Sequence, residues 1–319
     1  MTVQSDADRW PAIPYASWGD TLSTVHMWTQ ILGKIRLVHA PVANHWWDAV
    51  LHVTARGLTT TPVPHPAGTF DMEFDFVEHV LRIRAVEGGS AAVALETGTV
   101  AAFYASVMDV LTSLGRPVAI RTNPNEVPEP IPFQQNTAPA AYDAEAAARF
   151  WRALVEVDRV FKAFRARFTG KCSPVHFFWG APDLAVTRFS GRVAPAHPGG
   201  VPGLPDWVTR EAYSHEVSSA GFWPGSPDME AAFYSYAYPT PDGFAHADVG
   251  PPGAFWSEQM GEFFLPYEVV RSAPDPDAAL MEFLQSSYEA AANLGDWDRA
   301  SLERPTGELR RLEEAVAIG

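Results

Sequence analysis

Four prolines fall within the eleven residues Asn123-Pro-Asn-Glu-Val-Pro-Glu-Pro-Ile-Pro-Phe133. Proline has no backbone N–H and restricts the residue before it, so this stretch can be neither a helix interior nor a central strand. It reads as an extended linker over residues 121–141, dividing a first part, 1–120, from a second, 142–319. Any fold must therefore be assembled from two pieces, and the two pieces carry the same order of signals.

Each piece opens with an amphipathic helix. Trp18, Leu22, Val25, Leu32 and Ile35 trace one face in the first, with Ser17 as a candidate cap. Phe150, Leu154, Val157, Phe161, Phe164 and Phe168 trace one in the second, behind Asp143 as a candidate cap. Each piece closes with a helix ending in Leu-Gly, at Leu114-Gly115 and Leu294-Gly295. Between them the strand signals are His45–Arg56, Thr69–Phe76, Val80–Val86 and Ala91–Glu96 in the first piece. In the second they are Val175–Trp179 running on through Leu184–Ser190, then Glu211–Ala220, Ala231–Tyr238 and Glu262–Val270. His45-Trp-Trp47 corresponds to His176-Phe-Phe178, Val53-Thr54 to Val186-Thr187, and His65 to His197. The expected fold is α+β: two diverged α-β-β-β-β-α repeats with mainly antiparallel sheets in a pseudo-two-fold arrangement.

Composition narrows the function classes. A formal net charge of −15 repels phosphate backbones and anionic membrane surfaces, so neither nucleic acid nor membrane is an expected partner. The single cysteine, Cys172, allows no intramolecular disulfide and no multi-cysteine metal site. The opening segment Met1–Trp10 is polar and does not read as a signal peptide. These features fit a soluble cytoplasmic protein. No dinucleotide-binding glycine motif, P-loop or nucleophile elbow is present, and no cofactor is implied.

Chemistry-bearing candidates concentrate in the second piece. Read as a strand, Glu211–Ala220 places Glu211, Tyr213 and His215 on one face, with Glu216 on the other. His215 titrates near neutrality and would serve as acid and base with Glu211 or Glu216 as its partner. Arg188 and Arg192, alternating on the neighbouring strand, would clamp an anion or brace those carboxylates. Tyr234 and Tyr236, with Trp223, would line an aromatic pocket or pack a core. A functional cleft is expected to bring His215 together with Arg188. His176, His197, His215 and His246 have no compact ligand spacing, and no bound metal is expected.

The strings Val175-His-Phe-Phe-Trp-Gly180, Leu184-Ala-Val-Thr-Arg-Phe-Ser-Gly-Arg192 and Glu211-Ala-Tyr-Ser-His-Glu-Val-Ser-Ser-Ala-Gly-Phe-Trp-Pro-Gly225 resemble a bacterial family catalogued as domain of unknown function 5996. The resemblance covers nearly the whole chain. It departs at Ala181-Pro182, where the family pattern has Ser-Phe, and it carries no activity across. Two readings stand: an enzyme acting on a small polar metabolite through His215, a carboxylate, the two arginines and His176, or a non-catalytic ligand-binding or assembly protein. Oligomeric state is not legible.

Overall fold

The computed structural model describes residues 9–305 together with 307, 308 and 311, so most of the polar opening segment lies outside the described residues. Helix α1 (Gly19–His39) is followed by β1 (Val50–Val53), β2 (Gly57–Thr59), β3 (Phe70–Asp75), β4 (Val80–Ala85) and β5 (Ser90–Ala94). A two-residue strand β6 (Gly98–Thr99) leads into α2 (Val100–Ser113) and pairs with β7 (Pro139–Ala140) beyond the proline-rich segment. Helix α3 (Ala144–Ala166) precedes β8 (His176–Phe178), β9 (Asp183–Val193), α4 (Asp206–Ala212), β10 (His215–Trp223), β11 (Ala232–Tyr238), β12 (Phe255–Ser257) and β13 (Glu262–Pro266). Helices α5 (Tyr267–Arg271), α6 (Pro276–Leu294) and α7 (Arg299–Leu302) follow.

Eleven of these strands form one antiparallel sheet in the order β12-β13-β11-β10-β9-β8-β1-β2-β3-β4-β5. The fold is therefore α+β. At the middle of the sheet β1 pairs with β8 through only Val50↔Phe178 and Leu51↔Phe177. One face is apolar along its whole width. Leu51, Leu58, Phe74, Leu81, Phe177, Leu184, Phe222 and Phe233 are all 1 % exposed or less, and they pack under α1, α2, α3 and α6. Phe177 meets Phe150 of α3, Phe233 meets Phe161, and Phe74 meets Phe103 of α2. This contiguous burial is the main stabilising term, since fully burying one such aromatic is favourable by about 2–3 kcal/mol.

The helix starts follow their capping residues. Asp143 Oδ1 accepts from Ala146 N at 3.0 Å, Thr99 Oγ1 from Ala102 N at 3.0 Å, and Asp275 Oδ1 from Ala278 N at 2.9 Å. Ser17 does not cap α1. It sits in a short 3₁₀ turn and donates to Pro14 O.

The strands depart from expectation at their turns and at their ends. Each long first strand is a hairpin: His45–Arg56 resolves into a turn and then β1, with β2 following from Gly57, and Val175–Ser190 into β8 and β9 around the turn Trp179–Pro182. Val53 and Val186, matched in sequence, thus lie on non-corresponding strands. The expected strand Glu211–Ala220 begins only at His215, because Pro205 opens a short helix that Tyr213 N closes onto Thr209 O at 3.0 Å. Strand Glu262–Val270 stops at Pro266, where α5 starts.

Candidate functional site

On the sheet face away from the four long helices, the second half is roofed by loops. Register places Asp183, Ala185 and Thr187 of β9, Ser219 and Gly221 of β10, and Tyr234 and Tyr236 of β11 on this outer face. Glu262 continues it on β13, beside the pair Tyr234↔Phe264. Thr187 and Ser219 hydroxyls meet at 2.9 Å across the two strands.

Asp183 is the deepest acid in this face, 7 % exposed. Tyr234 donates its hydroxyl to Asp183 Oδ2. To reach it the tyrosine ring lies across β10 at Gly221, where any Cβ would collide with the ring. Gly221 is thus a glycine by close approach. Next along, the Tyr213 and Tyr236 hydroxyls meet at 2.9 Å. His197, from the loop between β9 and α4, stacks on Tyr213 with ring centroids 5.0 Å apart, and Tyr238 donates to Pro195 O at 3.0 Å.

The proline-rich segment closes the other side. Asn125 is tied to α1: Gln30 donates to its carbonyl and accepts from its N–H, both at 2.8 Å, and Lys34 donates to its side-chain oxygen. The next residue, Glu126, has a left-handed backbone (φ 55°), and its carboxyl lies against Gly180 while Gly203 of the roofing loop touches its backbone. A glutamate in this backbone region is strained, and such strain persists where surrounding contacts over-determine it.

Electrostatics set this face apart. Burial pushes Asp183 up to about 7, against the opposing hydrogen bond from Tyr234 and with the charge of Glu126 adding to the rise. Burial pushes Glu126 and Glu262 up to about 7 as well. Among the described residues none of the three is in an ion pair with a basic side chain. Tyr213, Tyr234 and Tyr236 are each half-buried, yet burial raises all three phenols. The partly accessible, desolvated patch that these side chains share beneath the loops is termed the recess. Among the described residues no three His, Cys, Asp or Glu side chains lie together so as to hold a metal ion.

The residues singled out in sequence divide between this recess and elsewhere. Tyr213, Tyr234 and Tyr236 line it, and Trp223 is half-buried at the end of the same face of β10. His215 lies on the outer face but away from the recess, its ring 5.7 Å from that of His45, which accepts a hydrogen bond from Lys171. Glu211 is on α4, so it does not share a strand face with His215.

Arg188 and His215 do not share a cleft. Arg188 faces the helices, 1 % exposed, with its guanidinium 3.5 Å from the Phe164 ring centroid and 4.2 Å from that of Tyr288, and it donates to Phe164 O at 2.5 Å. The strand alternation that puts Arg188 opposite Ser218 turns it away from Thr187 and Ser219. Glu216 accepts from Arg192 Nε at 2.8 Å and from Ser190 at 2.7 Å, and Arg192 also donates to the carbonyls of Gly295 and Asp296 at the end of α6. That arrangement fastens a helix end to the sheet. His176 is buried on β8 beside His52.

Asp183, Glu126 and Glu262 were not singled out from sequence. Asp183 falls just before the strand signal Leu184–Ser190, Glu262 at the start of another, and Glu126 within the linker. The usable signal was the tyrosine alternation, which marks the face that those carboxyls share.

The model of a family of unknown function, DUF5996, matches residues 10–304, and the chain belongs to that family. No curated protein and no solved structure matches.

Proposed function

We propose that this DUF5996 member acts on a small polar metabolite bearing a protonated amine, held in the recess by Asp183, Glu126 and Glu262 and oriented by Tyr213, Tyr234 and Tyr236. The carrying observation is three desolvated carboxyls, each raised to about 7, with no basic partner among the described residues. A ligand ammonium supplies the missing charge and draws the carboxyls into their ionised form. Groups half-titrated at neutral pH are also suited to moving a proton, so Asp183 with Tyr234 is the acid–base pair. The loop carrying His197 and Gly203 would close over the ligand.

A thermal-shift screen of small amines and small carboxylic acids at pH 7 tests the reading. Amines should raise the melting temperature of the native protein, by mass action on the folded state, and lose that effect in Asp183→Asn. An Asp183→Asn protein that responds like the native one, or a screen in which no amine acts, sinks it. The competing reading is a non-catalytic polar network, favoured by the closed Tyr213–Tyr236 and Tyr234–Asp183 pairs. It requires Asp183→Asn to lower stability.

We also infer that the two halves are diverged copies of one helix–meander–helix unit. The hairpins β1–β2 and β8–β9 stand at the same place in each half, and β1 and β8 pair antiparallel with each other. Trp18 and Phe150, matched in sequence, touch with ring centroids 4.8 Å apart, as equivalent residues near a two-fold axis do. Residues 1–120 and 142–319 would be the copies, with β12 an addition to the second. The acidity of the chain and its lone free Cys172 support a cytoplasmic setting without nucleic-acid partners. No described helix is long and apolar enough to cross a membrane.

A further inference from the structure

The central seam of the sheet is split. The β1–β8 ladder stops at Leu51↔Phe177, so His52 and Val53 on one side and Val175 on the other no longer pair across it. A cavity of about 340 Å³ occupies the opening, lined by these residues and by Asp158, Lys162 and Arg165 of α3. The three helix residues fall at steps of four and three, so one face of α3 looks into the split.

We propose that this cavity binds a small oxyanion, a phosphate or carboxylate group, through Arg165, Lys162 and His52, with His176 buried behind His52. Asp158 and Lys162 pair at 2.6 Å and largely cancel. Arg165 donates only its Nε, to Ser173 O at 2.6 Å, and among the described residues its two terminal nitrogens have no protein partner. Behind the seam, Arg36 donates to the neutral carbonyls of Asp48 and Val50 at 2.8 and 2.5 Å, so its charge also reaches the split.

His176, 1 % exposed, has its Nδ1 buried with no partner, and its ring lies 6.3 Å from that of His52. A buried ring nitrogen left unpaired is unfavourable, and a bound acceptor or bridging water relieves it. The field agrees in sign. Burial chiefly, then Arg36 and Lys162, hold His52 down to about 4, and burial, then His52 and Arg36, hold His176 down to about 3. In a chain of net charge −15 this is a locally positive opening, large enough for a small metabolite.

The test uses the full chain with inorganic phosphate and acetate as separate millimolar probes, followed through the ring resonances of His52 and His176. Binding of either should shift those resonances and move the His52 titration upward, because the anion favours its charged form. A phosphate response alone assigns a phosphate group, an acetate response alone a carboxylate, and both a general oxyanion site. Arg165→Gln should weaken the response about tenfold, as loss of a charge-assisted donor does. Should that variant not fold, Lys162→Gln removes the other cationic donor of the lining and should weaken the response in the same direction. Asp183→Asn should leave the response intact, which separates this site from the recess. Native protein that answers neither probe, or a variant that binds undiminished, overturns the proposal.

Discussion

The outer face of the sheet carries carboxylates in both halves, under opposite conditions. On the first half Asp71, Glu73 and Asp75 alternate along β3, and arginines from neighbouring chain answer them. Arg84 reaches Asp71 at 2.7 Å and Glu73 at 2.8 Å, while Arg56 and Arg82 reach Asp75 at 2.6 and 3.2 Å. Burial would raise Asp75, but the bonds from Arg56, the N–H groups of Glu78 and Val77, and Arg82 outweigh it and hold it at about 2. On the second half Asp183, Glu126 and Glu262 are desolvated with no guanidinium partner among the described residues, and Asp183 accepts from the Tyr234 hydroxyl instead. Matched charge on a rim stabilises a fold, whereas unmatched charge in a recess is retained at a cost and marks where a partner belongs.

Asp75→Ala should show the largest effect, a loss of about 3 kcal/mol in chemical denaturation, because it strips a buried carboxylate from two arginines and two backbone donors. A loss under about 1 kcal/mol would mean that the first half does not depend on its matched charges. Arg188→Ala comes next, at about 2–3 kcal/mol, through lost stacking on Phe164 and Tyr288. The amine response should survive it, since Arg188 lies on the opposite sheet face. Loss of that response in a protein still folded would contradict the separation of the two faces.

The pH dependence should run in opposite directions. An acid raised in the folded state contributes stability that is full below its unfolded value and lost as pH rises through its folded value. For Asp183 that window runs from about pH 4 to about pH 7. Asp183→Asn removes the titration, so the variant should gain on the native protein across that window, by on the order of 1–2 kcal/mol after screening, and hold the gain above it. Asp75 is depressed, so its contribution is present above about pH 4 and lost as pH falls toward 2. A constant difference between Asp183→Asn and native protein from pH 4 to 8 would remove the claim that this acid is raised. Smallest of all, Asp71→Ala should change stability by less than about 0.5 kcal/mol, since both members of its pair with Arg84 are substantially exposed.

The four long helices were legible, and Asp143 caps α3 through a local bond that a sequence pattern can display, whereas Ser17 does not cap α1 and the short helices α4 and α5 fall where strands were expected. At Leu294-Gly295 the pattern was half right: the helix ends there, but Gly295 keeps φ −87° and Asp296 takes the left-handed position at φ 51°. The hairpins were not legible. Trp179-Gly-Ala-Pro182 carries no Asn-Gly or Asp-Gly turn, so two strands read as one. Glu211 was misplaced because a short helix behind Pro205 has too few residues to show a period. The candidate site divides on the same line. The tyrosine face has a period of two and could be read, whereas Glu126 is brought against Gly180, where its charge acts on Asp183, by a fold-back of the proline-rich segment that only tertiary structure reveals. Arg188 and His215 were paired on strand adjacency, which was correct, without the face alternation that turns them apart.

The two-rung junction of β1 with β8 has a consequence for synthesis. When the first half has left the ribosome, the outer edge of Val50-Leu51-His52-Val53 has no neighbour until Phe177 is made. At ordinary elongation rates that interval is on the order of ten seconds. For that time a nascent apolar strand edge is open to any other chain on the same message, the circumstance in which edge-to-edge misassembly begins. A ribosome stalled between the proline-rich segment and β8 would prolong it, so aggregation of this protein should depend more on translation speed through residues 124–176 than on the stability of the finished fold.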